Sequence, residues 1–159
     1  MNKQAVRNCA LSVVEWRKLT QEGLSIPVRI QLNGYSMQPL VRRLRDHVTI
    51  IPLKRPLKRG DVVLFADDLG RYVVHRVWKL DETCVTTLGD HCYQPDPPLE
   101  YSRVWGLVTK LERGSRVISL DCSGARAWGR FWMSLLPLRR MYDRCRSFAK
   151  QIYRKLKGR

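Results

Sequence analysis

The sequence predicts a mainly β protein, with an antiparallel β body flanked by an N-terminal helix and a basic amphipathic C-terminal helix. Two observations carry this. Between Ile26 and Leu120 the chain passes through seven short runs rich in Val, Ile and Thr, separated by Gly, Pro or Asp. Outside those limits the apolar residues recur at helical spacing instead.

At the N-terminal end, residues 3–22 place Val6, Ala10, Val13, Val14 and Leu19 near one helical face, and Gly23 is a fitting stop, so a helix is expected within residues 1–25. The β runs then follow as PVRIQL, HVTIIPL, DVVLFA, RYVVHRVWKL, CVTTL, RVWGLVTKL and SRVISL. Short strands joined by turn residues, with no helical pattern among them, imply a largely antiparallel sheet over residues 26–120. From Trp128 the period is helical again. Met141, Cys145, Phe148, Ala149, Ile152 and Leu156 form one apolar stripe with Arg and Lys opposite, so residues 121–159 read as a basic amphipathic helical segment.

Charge narrows the partners. The 159 residues carry 30 Lys plus Arg against 14 Asp plus Glu, a net +16 that favours anionic partners. From Arg139 to Arg159 nine basic residues face only Asp143, so half of the excess, +8, lies in that segment. Tyr142, Phe148 and Tyr153 fall on or beside the apolar face and form no stacking platform, so nucleic acid is not expected. An anionic membrane surface met through residues 128–159 is one expectation for the tail. A helix packed on the body with its charged face solvated is the other.

Five scattered cysteines (Cys9, Cys84, Cys92, Cys122, Cys145), with no CxxC pair, resemble neither a disulfide framework nor a zinc site. A reducing compartment is expected, with no metal or cofactor. Met1 to Gly23 has no continuous apolar core of the signal-peptide kind. The longest mainly apolar stretch, Ala127–Leu138, is interrupted by Arg130 and Pro137, so no transmembrane helix is expected. The expected location is cytoplasmic, with peripheral attachment to a membrane as the variant.

Three places in the chain can carry chemistry. In Tyr72-Val73-Val74-His75-Arg76-Val77-Trp78 the alternation puts Val73, His75 and Val77 on one strand face, where a histidine is held rigidly enough for a general base. A lone strand histidine is more often structural. Ser36 lies between Gly34 and Pro39, in a bend that exposes a hydroxyl and leaves main-chain N–H groups free, although most serines in such bends are turn residues. The segment Leu88-Gly89-Asp90-His91-Cys92-Tyr93-Gln94-Pro95-Asp96 offers carboxylates that can orient an imidazole or merely stabilise a turn.

Taken in order, GYSMQPL, RDHVTI, RGDVVLF, YVVHRV, LGDHCYQPD and VWGLVTKL resemble the type I signal peptidase family and its wider clan, which includes LexA-like self-cleaving proteins. The resemblance spans Gly34 to Leu111 and implies a signal-peptidase/LexA-like β body. Ser36-Met37-x-Pro39 matches the serine motif, and His75-Arg76-Val77 is similar to the branch whose base is histidine, found in endoplasmic-reticulum and archaeal enzymes. By this resemblance the catalytic residues are Ser36 as nucleophile, His75 as base and Asp96 as orienter, with Asp90 in support. It implies a serine endopeptidase that cleaves an extended peptide or leader segment. The family's N-terminal membrane anchor has no counterpart here, its Gly-Asp after the serine block is Arg45-Asp46, and the asparagines of its GDNN segment are His91 and Cys92.

Two other readings compete. A self-cleaving LexA-like regulator uses a lysine base and a cleavable Ala-Gly or Cys-Gly, and neither dipeptide occurs in the chain. A non-catalytic protein of the same fold, binding an anionic membrane surface or a partner through its basic tail, is the alternative from a different functional class.

Overall fold

The computed structural model describes residues 12–157. Helix α1 (Val13–Gln21) precedes strands β1 (Val28–Gln31), β2 (His47–Pro52), β3 (Val62–Ala66), β4 (Tyr72–Leu80), β5 (Cys84–Leu88), β6 (Leu99–Glu100), β7 (Val104–Arg113) and β8 (Arg116–Ser119). Helices α2 (Ser123–Ser134) and α3 (Leu136–Lys157) follow. This is the mainly antiparallel β body with flanking helices that the sequence predicts. Each of the seven predicted runs becomes a strand. The added one, β6, is two residues long and too short to show a period.

The strands pair antiparallel in the order β1-β2-β7-β3-β4-β5-β6, and β8 also pairs with β7. Strand β7 is the spine: β2 lies along one edge, while β3 and β8 share the other. Register shifts interrupt the β2–β7, β3–β7 and β4–β5 pairings, and such bulges bend a sheet and raise its twist.

Period-two alternation divides the core. Val62, Leu64 and Val74 pack with Trp16, Ile50, Val108 and Leu111 on one face of the sheet. Val63, Phe65 and Val77 pack with Val85, Leu99 and Leu107 on the other. Because β3 and β4 are covered on both faces, the side chains of His75 and Arg76 leave β4 in opposite directions into ordered surroundings.

Helix α1 begins with a capping box, in which Ser12 Oγ accepts from Glu15 N–H and the Glu15 carboxylate accepts from Ser12 N–H. Its anchor is Trp16, fully buried, with Nε1 donating to the Ile26 carbonyl at 2.8 Å. Val14, which the sequence groups near one helical face with Val13 and Leu19, is exposed. The indole outcompetes it because Gly106 leaves room: a Cβ there would stand 2.8 Å from Trp16 Cη2. Val6 and Ala10 lie outside the described residues.

Helix α2 starts at Ser123, five residues before the helical period becomes legible at Trp128. Its N-cap is Cys122, whose sulfur accepts from Ala125 N–H. Cysteine is an unusual cap, and Ser-Gly-Ala carries no apolar period, so nothing in the sequence announces the start. Leu88, Met133 and Leu136 form a small third core that fastens α2 and the start of α3 beneath the end of β5. Beyond it, Met141, Tyr142, Cys145, Phe148 and Ile152 are exposed, so the stripe is not packed on the body. The side chains of Ala149 and Leu156 are outside the description. No helix among the described residues is long and apolar enough to cross a membrane.

Candidate active site

The serine turn grows out of β1. After Leu32 the chain bends through Gly34, and Gln38 N–H closes onto the Tyr35 carbonyl at 3.1 Å, followed by Val41 N–H onto Met37 at 2.9 Å. The Gln38–Pro39 peptide is cis. Met37 and Val41 are almost fully buried and pin the turn into the core, leaving Ser36 half-buried at its crest. Among the described residues neither Ser36 N–H nor Met37 N–H donates a hydrogen bond, so two main-chain donors remain free beside the hydroxyl.

The loop after the turn is closed by Asp46. This buried carboxylate accepts from the Arg42 main chain at 2.9 Å and from the guanidinium groups of Arg42 and Arg113. Burial pushes its pKa up, but the Arg113 and Arg42 hydrogen bonds outweigh that and hold it at about 2. The left-handed residue of this loop is Leu44, with φ 52°, rather than a glycine.

His75 sits opposite Val63 in the β3–β4 ladder, edge-on to Phe65 at 6.1 Å between centroids, with only 8% of its side chain exposed. Its Nδ1 lies 2.6 Å from Asp96 Oδ2. An ionised carboxylate only accepts, so the ring proton is assigned to Nδ1 and the lone pair to Nε2. Nε2 faces the serine turn across Gly89. A Cβ on Gly89 would stand 2.9 Å from His75 Nε2 and 2.7 Å from the Ser36 carbonyl oxygen, so only glycine lets the loop pass between them.

The 88–96 segment is knotted to both catalytic candidates. His91 N–H donates to the Ser36 carbonyl at 2.7 Å, and Asp96 N–H donates to Thr87 at 2.8 Å. Thr87, fully buried on β5, donates its hydroxyl proton to Asp96 Oδ2 at 2.6 Å. Burial, reinforced by the nearby Asp96 charge, pushes the Cys92 thiol up. It therefore stays protonated near neutrality.

Ser36, His75 and Asp96 line one cavity of about 560 Å³, with Phe65, Val73 and Leu99 in its apolar wall. Among the described residues no hydrogen bond joins Ser36 Oγ to the imidazole. In substrate-free enzymes such contacts are often long and tighten only when substrate is bound.

Asp90 does not reach His75. Both of its carboxylate oxygens are taken by Arg76, at 2.8 and 2.7 Å, in an ion pair whose side chains are 3% and 2% exposed. Its support is therefore indirect, since Arg76 is the residue after His75 and points the other way. Arg76 also donates to the Gly60 carbonyl, and α2 crosses it at Gly129, where a Cβ would collide with the guanidinium. Trp132 Nε1 and the Arg139 guanidinium both donate to the Asp90 carbonyl, so α2 and α3 brace the loop that carries Asp96.

The structure thus brings together Ser36, His75 and Asp96 and sets Asp90 behind them. Thr87, Arg76 and Gly129 were not among the sequence candidates. A threonine in a strand, an arginine among thirty basic residues and a glycine in a helix carry no signal of their own. Comparison with known protein families finds no match, and no curated protein matches the chain in sequence.

Proposed function

We propose that this chain is a serine endopeptidase, resembling the histidine branch of the signal peptidases, that cleaves an extended peptide or leader segment. The observation that carries the reading is the 2.6 Å contact from His75 Nδ1 to Asp96, which leaves Nε2 facing the serine turn in a shared cavity.

The chemistry follows from these positions. His75 Nε2 takes the Ser36 hydroxyl proton as Oγ attacks the scissile carbonyl carbon, and the carbonyl π electrons become an oxyanion. The Ser36 main-chain N–H, with that of Met37 beside it, is the donor for that charge. Asp96 stabilises the imidazolium, which then gives its proton to the departing amine as the C–N bond breaks. Water, deprotonated by the same nitrogen, releases the acyl group from Ser36. Strand β1 is an edge strand with one partner, and its free edge runs into the serine turn, which suits an extended substrate added as a further strand.

A peptide electrophile directed at serine tests the reading. The expected result is one adduct, mapped to Ser36, absent from Ser36→Ala and strongly slowed in His75→Ala. A folded protein that gives no Ser36 adduct favours the non-catalytic alternative.

A further inference from the structure

We infer that α3, with the aromatic face of α2, is a docking surface for an anionic lipid bilayer. The inference stands apart from the peptidase reading, because it rests on none of the residues assigned to cleavage.

The helix is held by the wrong face for a packed element. Leu136 is buried, Arg139 donates to the Asp90 carbonyl, and Arg140 donates to the Tyr93 carbonyl at 2.6 Å. At about 100° per residue these three face the body, while Leu138, Met141, Tyr142, Phe148, Ile152 and Tyr153 occupy an arc of about 140° away from those contacts, with Leu138 and Tyr142 at the rim of a cavity shared with the serine turn. Those six are 44% to 67% exposed. Upstream on α2, Trp128 and Phe131 are also exposed, their rings 5.7 Å apart. Both helices thus carry exposed apolar side chains that no other part of the described chain buries.

Charge selects the occupant. Arg144 and Arg146 border the stripe on its two sides, and the segment from Arg139 carries +8. A second copy laid on the stripe would bring two such segments together, and a nucleic acid would use the charged face and leave the apolar one in water. An anionic bilayer satisfies both at once: the apolar arc enters the headgroup boundary, aromatic rings seat at its level, and the arginines reach outward to lipid phosphates. The stripe also runs to the site. Leu138 and Tyr142 line a cavity of about 540 Å³ whose opposite wall is Gln38 and Pro39, two and three residues after Ser36. A bilayer on the stripe therefore lies beside the serine turn.

Co-sedimentation with phosphatidylcholine vesicles, with or without about 30% phosphatidylglycerol, tests this in the full chain. The expected result is partitioning at least about tenfold stronger on anionic vesicles, falling about tenfold between about 50 and 500 mM salt. The exposed pair Phe148→Glu and Ile152→Glu should weaken it by about tenfold or more with the circular dichroism spectrum unchanged. Ser36→Ala should bind as the parent does, so a failed peptidase reading leaves this result intact. Equal binding to neutral vesicles, no binding, or full binding by the double variant each overturns the proposal. Concentration-dependent self-association abolished by the same double variant, without vesicle binding, assigns the stripe to a second copy instead.

Discussion

His75 Nδ1 and Asp96 Oδ2 are 2.6 Å apart, and the oxygen that receives the imidazole also receives Thr87 Oγ1. Two donors on one oxygen fix the carboxylate in place, and the carboxylate fixes the ring tautomer. Asp96→Asn would offer an amide donor to Nδ1 and turn the base the wrong way. The expected loss in kcat is about 10³–10⁴-fold with KM little changed, measured on a peptide substrate with the fold checked by circular dichroism.

Thr87 donates to Asp96 and, in the proposed mechanism, acts through it as a positioning residue. Thr87→Val keeps shape and removes the donor, so kcat should fall by roughly tenfold or more, in line with losing a hydrogen bond to a charged group. Thr87→Ser should restore most of it. Equal activity in Val and Ser variants would show that the hydroxyl does nothing for the carboxylate.

In the proposed mechanism Ser36 and His75 act on one proton. Each alanine variant should lose about 10³-fold or more in kcat, and the double variant should lose hardly more than either one. Additive losses would mean that the two residues do not work as a unit.

Asp90 should report in stability rather than in chemistry. Asp90→Asn leaves Arg76 buried without its counter-charge, and removing one member of a buried pair typically costs about 3–5 kcal/mol. Urea unfolding should show that loss, while the folded fraction keeps more activity than Asp96→Asn does. The reverse ranking would place Asp90 at the base.

Asp46 sets a pH dependence. Its folded value of about 2 lies below the ordinary 3.8, so folding favours the ionised form. The stabilisation, about 2 kcal/mol, is present above pH ~4 and lost as the pH falls through ~2. Asp46→Asn should be less stable than the parent at pH 7, and the gap should narrow on acidification. A gap independent of pH would mean that the Arg42 and Arg113 contacts need no charge.

The strands were legible because runs rich in Val, Ile and Thr are cut by Gly, Pro or Asp, whereas the split of Val62 and Leu64 to one core and Val63 and Phe65 to the other leaves no mark in a run that is apolar throughout. Ser36, His75 and Asp96 were legible only through their ordered motifs, since serine, histidine and aspartate in isolation are commonplace. Thr87 was illegible because its meaning is a single contact made nine residues away along the chain, across a loop.

By itself the sequence determined the β body with its helical flanks and the excess of positive charge at the C-terminal end. These are properties of composition and local period, which each segment expresses before it meets any other. Tertiary structure alone decided that Asp90 is held by Arg76 instead of standing near the histidine, that Gly89 is the gap between Nε2 and the serine turn, and that the apolar stripe of α3 is left exposed. Each depends on which distant segments share a volume. Of two aspartates six residues apart, one lies within reach of the imidazole and the other is already held by Arg76.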